Sequence, residues 1–218
     1  MNADELERRA NACRKQLEAE GVTLHPVVSR SRKLARSFWG SAWMKHLAVR
    51  ETGGMCLAPG RTLLRHGCVL DVQVMPGKVR ALVSAQELYE VELVLPPPEA
   101  AAVERLAELC RGRIDSLLSL LEGRMEPALL EQLCDPVTGL LPDAADWRMS
   151  CSCPDWAEPC LHAAAVMYAL GVMLDEQPEL LFVLRSMEPE QLITEPAGEE
   201  VFDGAALSAA FGIELDVE

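Results

Sequence analysis

Over the first twenty residues, apolar side chains recur every three or four positions. Leu6, Ala10, Cys13 and Leu17 share one face, and Gly21 ends the pattern. That spacing predicts an amphipathic helix over 3–20. The segment from Val22 to Val28, interrupted by Pro26, reads as extended chain or loop. A second helix is predicted where Trp39, Trp43 and Leu47 stand at i, i+4 and i+8, with Gly53-Gly54 as the loop after it. From Arg61 to Leu95 the period shortens to two. Leu70, Val72 and Val74 alternate with Val69, Asp71 and Gln73, then Val79, Ala81 and Val83 with Lys78, Arg80 and Leu82. Tyr89, Val91, Leu93 and Leu95 alternate in turn with Glu90 and Glu92. With turns at Pro76-Gly77 and Gln86-Glu87, this is an antiparallel β-meander of three or more strands. Pro96-Pro97-Pro98 ends it and is the natural linker. Beyond the prolines the period returns to 3.6. Val103, Leu106, Cys110, Ile114, Leu117, Leu118 and Leu121 form one stripe across Gly112. A short helix is predicted from Pro127, an apolar one to about Leu174, another through Pro178 to Met187, and a last one near Asp203 to Phe211. No internal repeat occurs. The fold class is α+β.

Eight cysteines punctuate this pattern, and three of them cluster. Cys13, Cys56, Cys68, Cys110 and Cys134 stand singly and read as small buried apolar residues. Cys151, Cys153, Cys160 and His162 instead place four soft ligands within twelve positions, in the pattern C-x-C-x6-C-x-H. Two residues apart on extended chain point the same way, so Cys151 and Cys153 can present both sulfurs to one side. Pro154 and Pro159 bracket a tight return. Two residues apart on a helix are separated by about 200°, so Cys160 should precede or open a helix with His162 in its first turn. Three thiolates and an imidazole complete a tetrahedral Cys₃His set of the structural zinc type, with no position open for catalytic water. The alternatives are weaker. A Cys151–Cys153 disulfide would close a strained ring, and the H-x-E with P-C-x-x-C signature of nucleobase deaminases is absent. Met149 and Trp156 flank the site and are expected to shield it.

C-x-C-x(n)-C-x-H followed by an apolar helix resembles the SWIM-type zinc finger. Further stretches join it in order: Phe38-Trp39-Gly40-Ser41-Ala42-Trp43, the Pro76-Gly77-Lys78-Val79-Arg80-Ala81 turn, Cys151-Ser152-Cys153-Pro154-Asp155-Trp156 with Pro159-Cys160, and Leu180 to Arg185. Together, over roughly residues 30–190, they are similar to bacterial SWIM zinc finger proteins of the kind associated with Swi/Snf-type helicases. Phe38-Trp39 stands where that family commonly has two tryptophans, a difference that touches packing and leaves the metal ligands intact. The resemblance implies one bound Zn²⁺ and contact with DNA or protein partners, and it implies no catalytic activity. The acidic C-terminal stretch lies outside it.

Charge sharpens the choice of partner. The chain has 34 acidic and 20 basic side chains, a net charge of −14, which taken whole argues against a nucleic-acid partner. The distribution is uneven. Residues 30–80 carry a local net charge of +8, and residues 175–218 carry −11. Arg30, Arg32, Lys33, Arg36, Lys45, Lys78 and Arg80 are therefore candidate phosphate contacts, with Trp39 or Trp43 as a stacking partner. Against this, tryptophans at i, i+4 usually face a core, and the basic residues can equally pair with the acidic part of the same molecule. His25, His46 and His66 stand alone and read as surface or packing residues. No phosphate-binding loop, dinucleotide fingerprint or H-E-x-x-H occurs. The polar N-terminus lacks a signal-peptide core, and no apolar run approaches the ~20 residues that span a bilayer, so the expected location is cytoplasmic.

The expected organisation is a helix-plus-meander unit over 1–95 carrying the basic patch. A helical region over 99–192 follows, with an embedded small ββα-like zinc finger at about 147–174, and then an acidic tail over 193–218. The expected function is a non-enzymatic zinc-binding adaptor that contacts nucleic acid, DNA first, beside a helicase or other DNA-processing partner. The alternative is a protein–protein interaction scaffold with a purely structural zinc. No small-molecule substrate is evident.

Overall fold

The structure is a computed structural model that describes residues 2–52, 57–135, 138–142 and 146–193. The first helix, α1 (Ala3–Ala19), opens on Asn2, whose side chain accepts the Glu5 N–H at 2.9 Å. It buries Leu6 and Ala10, with Cys13 and Leu17 partly covered, as the spacing requires. Helix α2 (Phe38–Thr52) follows a segment in which Arg30, Arg32, Lys33 and Arg36 are exposed and Ala35 is buried. Next comes α3 (Ala58–Arg65), where alternation had been expected from Arg61 onward. Pro59 lies in its first turn, and Gly60, Leu63 and Leu64 form a short buried face that a two-residue period does not describe.

The meander is present as β1 (Val69–Met75), β2 (Lys78–Ser84) and β3 (Leu88–Val94). Val79 faces Val74 and Leu93, so one face of β1–β3 is apolar, while Arg80 and Glu92 pair on the other. Past the prolines, the stripe expected as one helix is two, α4 (Ala100–Cys110) and α5 (Leu117–Glu122). Gly112 between them adopts a φ of +65°, a left-handed conformation that ends α4. Helix α6 (Pro127–Leu133) begins at the predicted proline.

The fourth strand, β4 (Arg148–Cys151), adds to β3 antiparallel, giving the sheet order β1-β2-β3-β4. The sheet therefore crosses the expected boundary at Pro96–Pro98. A single cluster of buried apolar residues also runs from Leu6 to Leu192. The finger contributes one strand of its own, and its strand partner is lent by the meander. Helix α7 (Leu161–Glu176) and α8 (Leu180–Arg185) complete the main elements. The helix expected at 203–211 and the acidic tail from 194 lie outside the described residues. Among the described residues, no helix is long and apolar enough to cross a membrane.

Helix α7 is buried without interruption from His162 to Gly171 and packs on α2 and α3, on β1, β3 and β4, and on α8. Such an all-round apolar helix must lie at the centre of a fold. Its neighbours approach closely because small residues meet at the contacts. A Cβ on Gly60 would lie 2.4 Å from the Ala165 amide nitrogen, and one on Gly171 would lie 2.7 Å from the Trp43 ring. Trp39 and Trp43 are core residues, 0% and 1% exposed. Their indole N–H groups donate to the Leu120 carbonyl at 3.0 Å and the Met167 carbonyl at 2.8 Å, so neither offers a stacking face to a ligand. At its far end α7 supplies Asp175. That carboxylate accepts the main-chain N–H groups of Arg36 and Ser37 and the Ser37 hydroxyl, while Ser37 Oγ accepts the Gly40 N–H. The start of α2 is thereby tied to the end of α7.

Replacing Gly60 with Ala should force α3 off α7 and destabilise the protein by about 3 kcal/mol, in the range of overpacked cores. Urea unfolding of the zinc-supplemented protein measures it, and an unchanged midpoint would refute this packing constraint.

Candidate metal centre

Register places the first ligand. Cys151 pairs with Val91 and Met149 with Leu93, so Cys151 takes the same inward face as Tyr89, Val91 and Leu93. A slip of one residue would turn Cys151 to the opposite face. The ladder ends just beyond it. Ser152 N–H donates to the Glu90 carbonyl at 3.0 Å, and Ser152 Oγ accepts the Glu90 N–H at 3.0 Å. Pro154 has no N–H to continue, so Cys153 sits in the turn after β4 and not on a continuous strand. The loop then folds back, with Asp155 Oδ1 accepting the Ala157 N–H at 3.1 Å. Cys160 is the N-cap of α7 and accepts the Ala163 N–H on its sulfur at 3.5 Å, which puts His162 in the first turn as expected.

The ligand atoms of Cys151, Cys153, Cys160 and His162 all lie within 4.8 Å of one another. His162 Nδ1 is the nitrogen turned toward the sulfurs, 3.7 Å from Cys151 Sγ and 4.0 Å from Cys160 Sγ. A tetrahedral zinc with Zn–S bonds of about 2.3 Å spaces its sulfurs by about 3.8 Å, so donor type and spacing both fit one structural Zn²⁺. Burial works on the ligands in opposite senses. It holds the His162 pKa below the usual imidazole value, which favours the neutral ring that a metal needs. It also pushes the Cys151 thiol up to about 12, with the Cys153 and Cys160 side chains adding to the rise, and raises Cys160 as well. Cys151 and Cys160 thus hold their protons until a cation replaces them. A thiolate at Cys160 would further gain from the positive end of α7.

The surroundings differ from expectation in one respect and add a residue the sequence did not single out. Met149 is half-buried against the core, but Trp156 is 97% exposed, at the rim of the hollow that Cys151, Cys153 and Cys160 line. The side chain that covers the imidazole is Tyr89 of β3, stacked on His162 with ring centroids 4.1 Å apart and planes 30° apart. Alternation showed that Tyr89 faces inward, but not that β3 would run beneath the finger.

The basic residues divide by whether they have a partner. Lys78 and Arg80, on the outward face of β2, both pair with Glu92, at 2.6 and 3.3 Å. Arg30 lies 3.6 Å from Glu7. Arg32, Lys33, Arg36 and Lys45 are exposed and have no ion-pair partner among the described residues. Arg36 and Lys45 border a groove of about 950 Å³ with Phe38, Ala42 and Leu130 in its lining. His25 and His66 approach the carboxylates of Asp71 and Glu7, at 3.1 and 3.2 Å, and His46 contacts the Pro142 carbonyl at 2.8 Å.

Purified protein should contain one zinc per chain by elemental analysis, and Cys153→Ser or His162→Ala should lose it. Loading displaces protons from three thiols, so apparent affinity should fall as pH falls, by up to ~10³-fold per pH unit below the thiol pKa values. Release to a chromophoric chelator measures this, and pH-independent retention would contradict a thiolate site. Tyr89→Ala should weaken zinc retention by about tenfold, in the range found for outer-shell partners, while Tyr89→Phe should retain it.

Comparison with known proteins agrees with this geometry. Residues 149–171 match the family model of the SWIM zinc finger. The uncharacterized protein Rv2102 of Mycobacterium tuberculosis is 33% identical over 185 residues, covering 81% of this chain and 64% of that protein. The chain thus spans a little under two thirds of the relative's length. No solved structure matches the chain. Motif, ligand geometry and helix placement agree that the chain carries a SWIM zinc finger at residues 149–171.

Proposed function

We propose that this protein is a non-enzymatic adaptor, braced by a structural zinc, that docks a protein partner through the tip of its finger. The observation that carries this reading is Trp156. Its ring is 97% exposed in the loop between Cys153 and Cys160, whereas Trp39, Trp43 and Trp147 are at most 7% exposed. Large aromatics that the core does not use are the typical anchors of protein interfaces. All four zinc positions are filled by side chains, which supports a structural metal over a catalytic one. Nucleic acid, the first expectation from charge, is the second reading. It is favoured by the exposed cationic run Arg30, Arg32, Lys33 and Arg36 together with Lys45, and it would suit a helicase partner binding the same nucleic acid. The loss of Lys78 and Arg80 to Glu92 weakens it.

A photo-cross-linking amino acid at position 156, activated in cells, should capture a protein, and adding Cys160→Ser should abolish the adduct by unfolding the finger. Cross-links to nucleic acid alone would overturn the protein reading. For the second reading, DNA affinity should show a salt slope that shrinks when Arg32, Lys33 and Arg36 are neutralised. No binding at low salt would dismiss it.

A further inference from the structure

We propose that the finger tip receives an arginine side chain from a basic segment of the partner, with Trp156 as the stacking face and Asp155 and Glu158 as the counter-charges. The inference rests on the protein-partner reading above and names the chemistry that partner must present. Three observations converge on it. The ring stacked on the ligand His162 is that of Tyr89, which leaves the Trp156 ring 97% exposed. Its ring stands at the rim of the hollow of about 310 Å³ that holds the zinc cysteines Cys151, Cys153 and Cys160, and Asp155 and Glu158 stand on the same rim, so the stacking face offered to a partner is the exposed ring itself and not a pocket. Both carboxylates are exposed, and neither has an ion-pair partner among the described residues.

The local charge selects the occupant. No lysine or arginine occurs from Met149 to Ala163. Three thiolates with one Zn²⁺ would add a further net −1 beneath the loop. A phosphate backbone would be repelled here, so nucleic acid has no electrostatic reason to choose this face. A cation is attracted on both counts: the tryptophan face carries the strongest aromatic quadrupole for cation–π contact, and the carboxylates flank it. Arginine suits the site better than lysine. Its planar guanidinium can stack on the indole while its edge N–H groups donate to carboxylates, whereas an ammonium is a strongly hydrated point charge.

The test uses the full zinc-loaded chain and a labelled Gly-Arg-Gly-Arg-Gly-Arg-Gly peptide, followed by anisotropy at low ionic strength. A second peptide carries citrulline, an uncharged isostere, at each arginine. The arginine peptide should bind, and the citrulline peptide should bind at least tenfold more weakly. Trp156→Ala is the decisive variant: it leaves the net charge of −14 untouched, so it separates this site from general attraction to an acidic protein. It should weaken binding about tenfold with zinc content unchanged. Asp155→Asn combined with Glu158→Gln should do the same, since Asn keeps the acceptor for the Ala157 N–H. Equal binding by Trp156→Ala, equal binding of the citrulline peptide, or no binding at millimolar peptide would each overturn the assignment. A protein cross-linked at position 156 alongside a failed peptide titration would sink the arginine assignment alone. Nucleic acid at that position would sink the protein reading with it.

Discussion

Helix α7 is enclosed on every side, and the contacts that enclose it decide where His162 stands. Gly60 lets α3 approach the backbone of the helix, Gly40 does the same for α2 at the Gly171 carbonyl, and the sheet packs on the helix as well. Asp175 holds one end by capping α2, and Cys160 forms the other end as the helix N-cap. A helix so confined has little freedom to slide or turn, so its first residues meet β4 in one geometry. The metal ligands come from these two elements: Cys151 closes β4, Cys153 follows it, and Cys160 and His162 open α7. Zinc at this point acts as a rivet between the sheet and the central helix, in contrast to a finger that folds around its metal alone.

The same confinement shapes the electrostatics. Partial burial prepares the imidazole by keeping it neutral, and it opposes ionisation of Cys151 and Cys160. The site therefore depends on a divalent cation to make its charge tolerable, and metal loading and packing of the sheet–helix junction are one process. Outside the junction, charges are spread over separate faces. The net positive charge of residues 30–80 is partly met locally, because Glu7, Glu51 and Glu92 draw Arg30, Arg61, Lys78 and Arg80 into pairs, while Arg32, Lys33, Arg36 and Lys45 stay exposed. Exposed pairs of this kind contribute little to stability, yet they remove cationic residues from service as phosphate contacts.

What could be read from the sequence was what depends on near neighbours. Strong periodicity located α1, α2 and the three meander strands, and the spacing of Cys151, Cys153, Cys160 and His162 named the ligands and the start of α7. Features set by distant parts of the chain were not legible. α3 is eight residues with a proline in its first turn, too short to declare a period. The break between α4 and α5 turns on the backbone angle of Gly112, which a hydrophobic stripe passes over. β4 has four residues, too few for the alternation of Met149 and Cys151 with Arg148 and Ser150 to declare a strand, so its pairing with β3 is what makes it one. That pairing also brought Tyr89 to the imidazole, and the closeness of Trp156 to the cysteines in sequence gave no sign that its ring points away.

The pairing of β3 with β4 has a consequence for biosynthesis. Fifty-three residues separate Val94 from Arg148, so the meander leaves the ribosome with one apolar strand edge still bare. At about 5–20 residues per second, that edge waits some 3–10 s for its partner. Unpaired edges of this kind invite strands from other chains. Glu90 and Glu92, which sit on β3 facing away from the core, mark that edge with negative charge while it waits.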